Sequence, residues 1–188
     1  MYPVTRSNTS LDLRELTVTD VEAVHAVYGS PAATEHLGFE PRTLEQVGQI
    51  VARSIAAATT EPRGEYTLAV VHRDTRDLIG LGRLVLDLHQ PGAATMGFAL
   101  RPDVWGNGYG RDTAGLLLGV AFEDLGLHRV WGARDPLNLA AARTMEAAGM
   151  SEEGAIRGHV VEGGGWRDSV VHSILDHEWQ FSDGRPPH

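Results

Sequence analysis

Arg101-Pro102-Asp103-Val104-Trp105-Gly106-Asn107-Gly108-Tyr109-Gly110-Arg111-Asp112 sets glycines at alternate positions between two segments of opposite periodicity. Upstream, Thr95, Gly97 and Ala99 alternate with Met96, Phe98 and Leu100, the two-residue period of a strand. Downstream, Ala114, Leu117, Leu118, Ala121, Phe122 and Leu125 fall on one face of a helix that Gly126 should stop. Strand, glycine turn, helix is a way of presenting backbone N–H groups to a phosphate. The first amides of a helix lack intrahelical acceptors, its dipole favours an anion there, and glycine removes the Cβ that would hold the phosphate off.

Working outward, Leu11–Glu15 reads as a first strand after a flexible tail over residues 1–10. Thr19-x-x-Glu22 and Thr43-x-x-Gln46 have the spacing of capping boxes, each opening a helix. Gly29-Ser30-Pro31 ends the first of these. Tyr66–His72 and Leu78–Leu88 read as strands around an Arg73–Asp77 turn, and His89-Gln90-Pro91-Gly92 turns into the strand before the glycine loop. A strand over 128–133, a short helix from Asn138 to Gly149, and strands near 150–157 and 168–177 complete the chain. Hairpins on one side and strand–helix–strand units on the other predict an α/β fold, with one mixed, mostly antiparallel sheet flanked by helices on both faces.

The chain has 188 residues, a length for one domain, and a formal charge of −9 with no Lys/Arg cluster, which disfavours nucleic-acid binding. The absence of cysteine excludes disulfides, thiolate metal sites and a cysteine nucleophile. No apolar run is long enough for a membrane span, and residues 1–10 lack the apolar stretch of a signal peptide, so a cytoplasmic protein is expected. The nine histidines show no recurring i, i+4 pair, and no metal is expected.

Three ordered segments carry a resemblance. Trp105-Gly106-Asn107-Gly108-Tyr109-Gly110 resembles the Gln/Arg-x-x-Gly-x-Gly/Ala loop of the GNAT N-acyltransferases. It is most similar to the RimJ/RimL branch of ribosomal-protein acetyltransferases, with Gly110 and Asp112 where that branch has Ala and Glu. Asp135-Pro136-Leu137-Asn138 through Arg143, then Gly149-Met150, resembles the family's Asp-Pro-x-Asn-x-x-Ser-x-Arg segment. Gly165-Trp166-Arg167-Asp168 and Glu178-Trp179 resemble its close, so the likeness spans about residues 11–179, with 180–188 a C-terminal tail.

The resemblance implies an acyl-CoA-dependent N-acetyltransferase that uses acetyl-CoA as acyl donor and an amine as acceptor, in a branch where dimers are common. It puts the pyrophosphate on the amides of Gly106, Asn107, Gly108, Tyr109, Gly110 and Arg111, beside Trp105. The pantetheine arm would lie along Phe98, Ala99 and Leu100, where a backbone N–H could serve as oxyanion donor. Asn138 is assigned either to pantetheine or to a helix cap, and Arg111 and Arg143 to nucleotide phosphates. The family's helix serine is replaced by Ala141, and the acid before its Gly-aromatic pair by Thr95. Proton transfer then falls to His36, Glu40, Asp87 or His89. Two alternatives remain: a CoA-binding module without chemistry, or a succinyl-CoA enzyme with Arg83 holding the second carboxylate.

Overall fold

The computed structural model describes residues 2–179. The expected 180–188 tail lies outside the described residues. The chain builds an eight-stranded sheet: β1 (Thr5–Ser7), β2 (Leu11–Glu15), β3 (Glu65–His72), β4 (Leu78–Leu86), β5 (Ala93–Leu100), β6 (Arg129–Arg134), β7 (Ser151–Glu162) and β8 (Gly165–Leu175). The order is β1-β2-β3-β4-β5-β6-β8-β7. Every neighbouring pair is antiparallel except β5–β6, which is parallel. The mixed, mostly antiparallel sheet expected from the element order is therefore present.

Helices α1 (Val21–Tyr28), α2 (Pro31–Thr34) and α3 (Leu44–Ala58) precede β3; α4 (Tyr109–Gly119) follows the glycine loop and α5 (Leu139–Ala147) follows β6. On one face, α4 and α5 cover Leu68, Val70, Leu84, Met96, Val130 and Ile174. On the other, Val24, Val47 and Val51 of α1 and α3 pack on Ala69, Val71 and Leu81. Strands β3 and β4 thus alternate their side chains between two apolar layers, and burying each large one contributes roughly 1.5–3 kcal/mol.

The Thr43 box forms as expected: Gln46 N–H donates to Thr43 Oγ1 at 3.2 Å, and Thr43 N–H to Gln46 Oε1 at 2.9 Å. The first box does not form at Thr19 and Glu22. Thr17 takes that place, its N–H and hydroxyl donating to Asp20 Oδ2 at 2.7 and 3.0 Å. Asp20 is also tied to Arg14 of β2, at 2.8 and 2.9 Å, and this long-range partner decides between two equally spaced candidates.

The expected flexible tail over residues 1–10 is corrected as well. Thr5–Ser7 pairs with Arg14–Asp12 as an edge strand, and Val4 is buried in the main core. The long helix is not uniform. It ends in a wide π turn over Val120–Asp124, with Leu125 N–H reaching Val120 O at 3.0 Å, before Gly126 at φ +63°. Arg6 of β1 pairs with Glu123 and Asp124 at that turn, and Trp179 donates to Glu123 at 3.2 Å.

Candidate functional site

The site begins where β5 and β6 part. They pair only over Ala93–Thr95 and Arg129–Trp131, although β5 runs on to Leu100 and β6 to Arg134. On its other side β5 pairs with β4 throughout. Asp87 N–H donates to Ala93 O at 2.9 Å and Arg101 N–H to Ile79 O at 2.8 Å, so odd-numbered residues turn their backbone groups to β4. By the alternation of an antiparallel ladder, Met96 and Phe98 turn theirs into the gap. Of the segment expected to line pantetheine, Phe98 therefore supplies the free amide. The amide of Ala99 faces β4, and Leu100 O accepts Trp105 Nε1–H at 2.9 Å. That bond fixes the half-exposed Trp105 ring to the strand, a shaping role.

Beyond β5 the glycine loop lies open. Gly106 and Gly108 have φ of +81° and +84°, and a Cβ on either would meet nothing within 4 Å. Among the described residues no acceptor is recorded for the amides from Gly106 through Arg111. This row of free donors at the start of an eleven-residue helix has the form and polarity to bind a pyrophosphate. Gly110 serves packing instead. A Cβ there would come within 3.1 Å of Thr144 of α5, so the glycine lets the two helices close up beside the loop. Arg111 and Arg143 are exposed and make no side-chain hydrogen bond or ion pair among the described residues, consistent with cations kept for a phosphate ligand.

Tyr109 anchors the loop from behind. Its hydroxyl lies 2.9 Å from Nε2 of His72, and the rings meet edge to face at 5.3 Å. The Thr75 amide donates to His72 Nδ1 at 3.3 Å, which leaves Nε2–H to donate to Tyr109. His72→Phe keeps the ring contact and removes the bond. The loss is about 1 kcal/mol of loop order, expected as a KM for acetyl-CoA raised roughly fivefold with kcat unchanged in steady-state kinetics.

Asn138 is the cap of α5, its Oδ1 accepting the Ala141 amide at 2.9 Å; of the two roles expected for it, the capping one is observed. The four residues nominated for proton transfer are not brought together. Glu40 and His89 are exposed, and their side chains make no hydrogen bond or ion pair among the described residues. Asp87 opens the turn that carries His89: its Oδ1 accepts the amides of His89 and Gln90 at 2.8 and 3.1 Å.

His36 is different. It follows α2, which leans on β5, and its Nδ1 lies 3.0 Å from Oδ2 of Asp135, just beyond the end of β6. It therefore bridges the mouth of the gap. Burial works against the charge on Asp135, but the Leu137 amide, the His36 ring and the nearby Arg167 outweigh it and hold the carboxyl below its ordinary value. Asp135 stays ionised and accepts from Nδ1–H, which selects the tautomer whose lone pair is on Nε2. The sequence marks Asp135 only as the start of the Asp-Pro-Leu-Asn segment, with no sign of this partner.

On the same face as Thr95, Arg83 stands across from Gly97 and donates to Glu65 Oε1 at 2.9 Å. Nothing in the sequence singles out Glu65. The Arg83 bond, with the Thr67 hydroxyl, holds its carboxyl below the usual range against the opposing effect of burial.

A family model described as an acetyltransferase (GNAT) domain matches residues 10–151. The "Uncharacterized N-acetyltransferase YoaA" of Bacillus subtilis (strain 168) is 28% identical over 177 residues, covering 93% of this chain and 98% of that protein. Among solved structures, a GNAT-family acetyltransferase from Bacillus anthracis superposes with a TM-score of 0.81 at 21% identity, over 93% of this chain and 99% of that one. Spermidine N-acetyltransferase from Vibrio cholerae, solved with CoA and spermine, gives 0.79 at 22% identity, over 92% and 99%. Both structures share the fold. With a family model over most of its length, a near full-length relative and a donor loop of the right form, the chain belongs to the GNAT family and is an N-acetyltransferase.

Proposed function

We propose that the protein transfers acetyl from acetyl-CoA directly to an amine held on the Thr95–Trp131 face of the sheet, with His36 as general base. The row of free amides from Gly106 through Arg111, opening beside the β5–β6 gap, is the observation that carries this reading. Pyrophosphate on that row directs the pantetheine arm into the gap. There the N–H and C=O of Phe98 can pair with it like a neighbouring strand, or donate to the oxygen of the reacting carbonyl.

The amine must arrive neutral. Its nitrogen adds to the thioester carbon, His36 Nε2 takes a proton from that nitrogen as the bond forms, and the collapsing adduct breaks the C–S bond. Thiolate leaves and is protonated by the imidazolium or by water. α5 offers no acid at Ala141, so placement of the amine beside the carbonyl supplies much of the rate. Arg83 already has a carboxylate partner in Glu65, which favours acetyl over a donor with a second carboxylate. The Trp105–Tyr109 loop supports a place in the RimJ/RimL-like branch. A cytoplasmic site of action and a single acyltransferase domain over residues 11–179, with β1 (Thr5–Ser7) added at the edge of its sheet, complete the proposal.

Purified protein should release free thiol from acetyl-CoA over a panel of small amines and peptides with free N-termini. Turnover with at least one acceptor is expected. A protein that binds CoA, seen as a raised melting temperature, yet acylates no amine would be a CoA-binding module instead.

A further inference from the structure

On the face of the sheet opposite α4 and α5, α1, α2 and α3 pack on β3, β4 and β5, the loop after α2 reaches Val160 of β7, and part of β6, β8 and β7 is left bare. A cavity of about 410 Å³ opens on this bare part, lined by Asp87, Gln90, Arg129, Trp131, Glu153 and Ile156 among others. Trp131 is the last residue of β6 paired with β5, so the cavity reaches the vertex of the gap where the acyl group is delivered.

The charges inside it are unequal. Glu153, two residues after Ser151 and on the same face of β7, looks onto the cavity, and the one-residue slip in register between Glu152 and Gly154 adds Gly154 to that face. There Glu153 grips Arg129 through both carboxylate oxygens, one of them at 2.8 Å, and Arg129 also donates to Ser173 at 3.1 Å. The Arg129 and Ser173 bonds bring the Glu153 carboxyl down to about 2, so the pair stays ionised and mutually neutralised. Asp87 is left over. Its Oδ1 holds the turn amides, while Oδ2 has no recorded partner among the described residues. The cavity lining therefore carries one carboxylate without a cationic partner among the described residues, together with the Trp131 side chain, a combination that suits an organic cation.

The spacing adds a length. Asp87 is level with Ala93, two residues before Thr95, the last β5 residue paired across the vertex. Two residues of strand span about 7 Å, and the sideways step of about 5 Å from β4 to β5 makes the separation about 8–9 Å. We infer that this cavity is the distal subsite of the acceptor, taking the second cationic group of a diamine whose other nitrogen is acylated at the vertex. The inference rests on the acyltransferase reading above. It also changes the part expected of Asp87, from proton transfer to recognition.

The test is a calorimetric titration of the protein, with and without saturating CoA, by hexane-1,6-diamine and by hexylamine. The diamine should bind about fivefold more tightly, the size of one partly screened charge pair. Asp87→Asn should bring the two affinities to parity. Asparagine retains the Oδ1 that accepts from His89 and Gln90, so the turn should persist, and an unchanged melting temperature checks that it does. Equal affinities in the parent protein, or a diamine preference that survives Asp87→Asn, overturns the inference. Either outcome, with thiol still released from acetyl-CoA by some amine, leaves the acyltransferase reading standing. Failure to bind CoA removes that reading separately.

Discussion

Gly108→Val raises the KM for acetyl-CoA about 100-fold or more and lowers the melting temperature by only a few degrees. The two effects have different origins. At φ +84° a β-branched residue is strained by roughly 1–3 kcal/mol, which in a chain of this size is a shift of several degrees. The Cβ itself meets no protein atom, so the fold has nothing to lose by contact. The open space it fills is where a phosphate oxygen would approach the amides. Hydrogen bonds to a charged group are each worth about 1.5–3 kcal/mol, and losing one or two of them accounts for a hundredfold. Steady-state kinetics together with a melting curve separate the two effects. An unchanged KM would mean that the loop does not hold the donor.

His36→Ala lowers kcat by about 10²–10³ and leaves the KM for acetyl-CoA within about twofold, the usual scale for removing a general base. Added imidazole should restore part of the rate, because the substitution leaves space for the ring it removes. A residue that only braced the loop would give no such rescue. Asp135→Asn is the companion. Asparagine can still accept the Leu137 amide, but its NH₂ can donate to His36 Nδ1 and so favours the tautomer with the proton on Nε2, where a base is needed. We expect kcat to fall at least about tenfold with the fold intact. A kcat unaffected by either change would move the base elsewhere.

The donor half of the site could be read from the chain because its cues are local. The alternation at 95–100, the glycines at 106–110 and the apolar stripe after them lie in one continuous stretch, and each has a direct conformational meaning. The acceptor half could not. His36 and Asp135 are 99 positions apart, and only the packing of α2 on β5 brings them together. Nothing in the residue types distinguishes His36 from His89, which ends in an exposed turn.

The same reason explains the misplaced first capping box. Thr17/Asp20 and Thr19/Glu22 have identical spacing, and the choice depends on Arg14 across the loop. β1 was missed because its three residues form a polar edge strand whose only apolar anchor is the adjacent Val4.

The parting of β5 and β6 has a mechanical side. Only three residue pairs join the two halves of the sheet there, and beyond them the facing edges have no strand between them. An acyl-CoA lying in that seam would act as a removable stave, closing the sheet while it stays. A ligand at 100 times its Kd stabilises a fold by about 2.7 kcal/mol. Here that increment should fall mainly on the seam, so amide hydrogen exchange along Met96–Leu100 and Gly132–Arg134 should slow more than elsewhere as acetyl-CoA rises. The resistance of this enzyme to unfolding in the cell would then follow the supply of its own acyl donor.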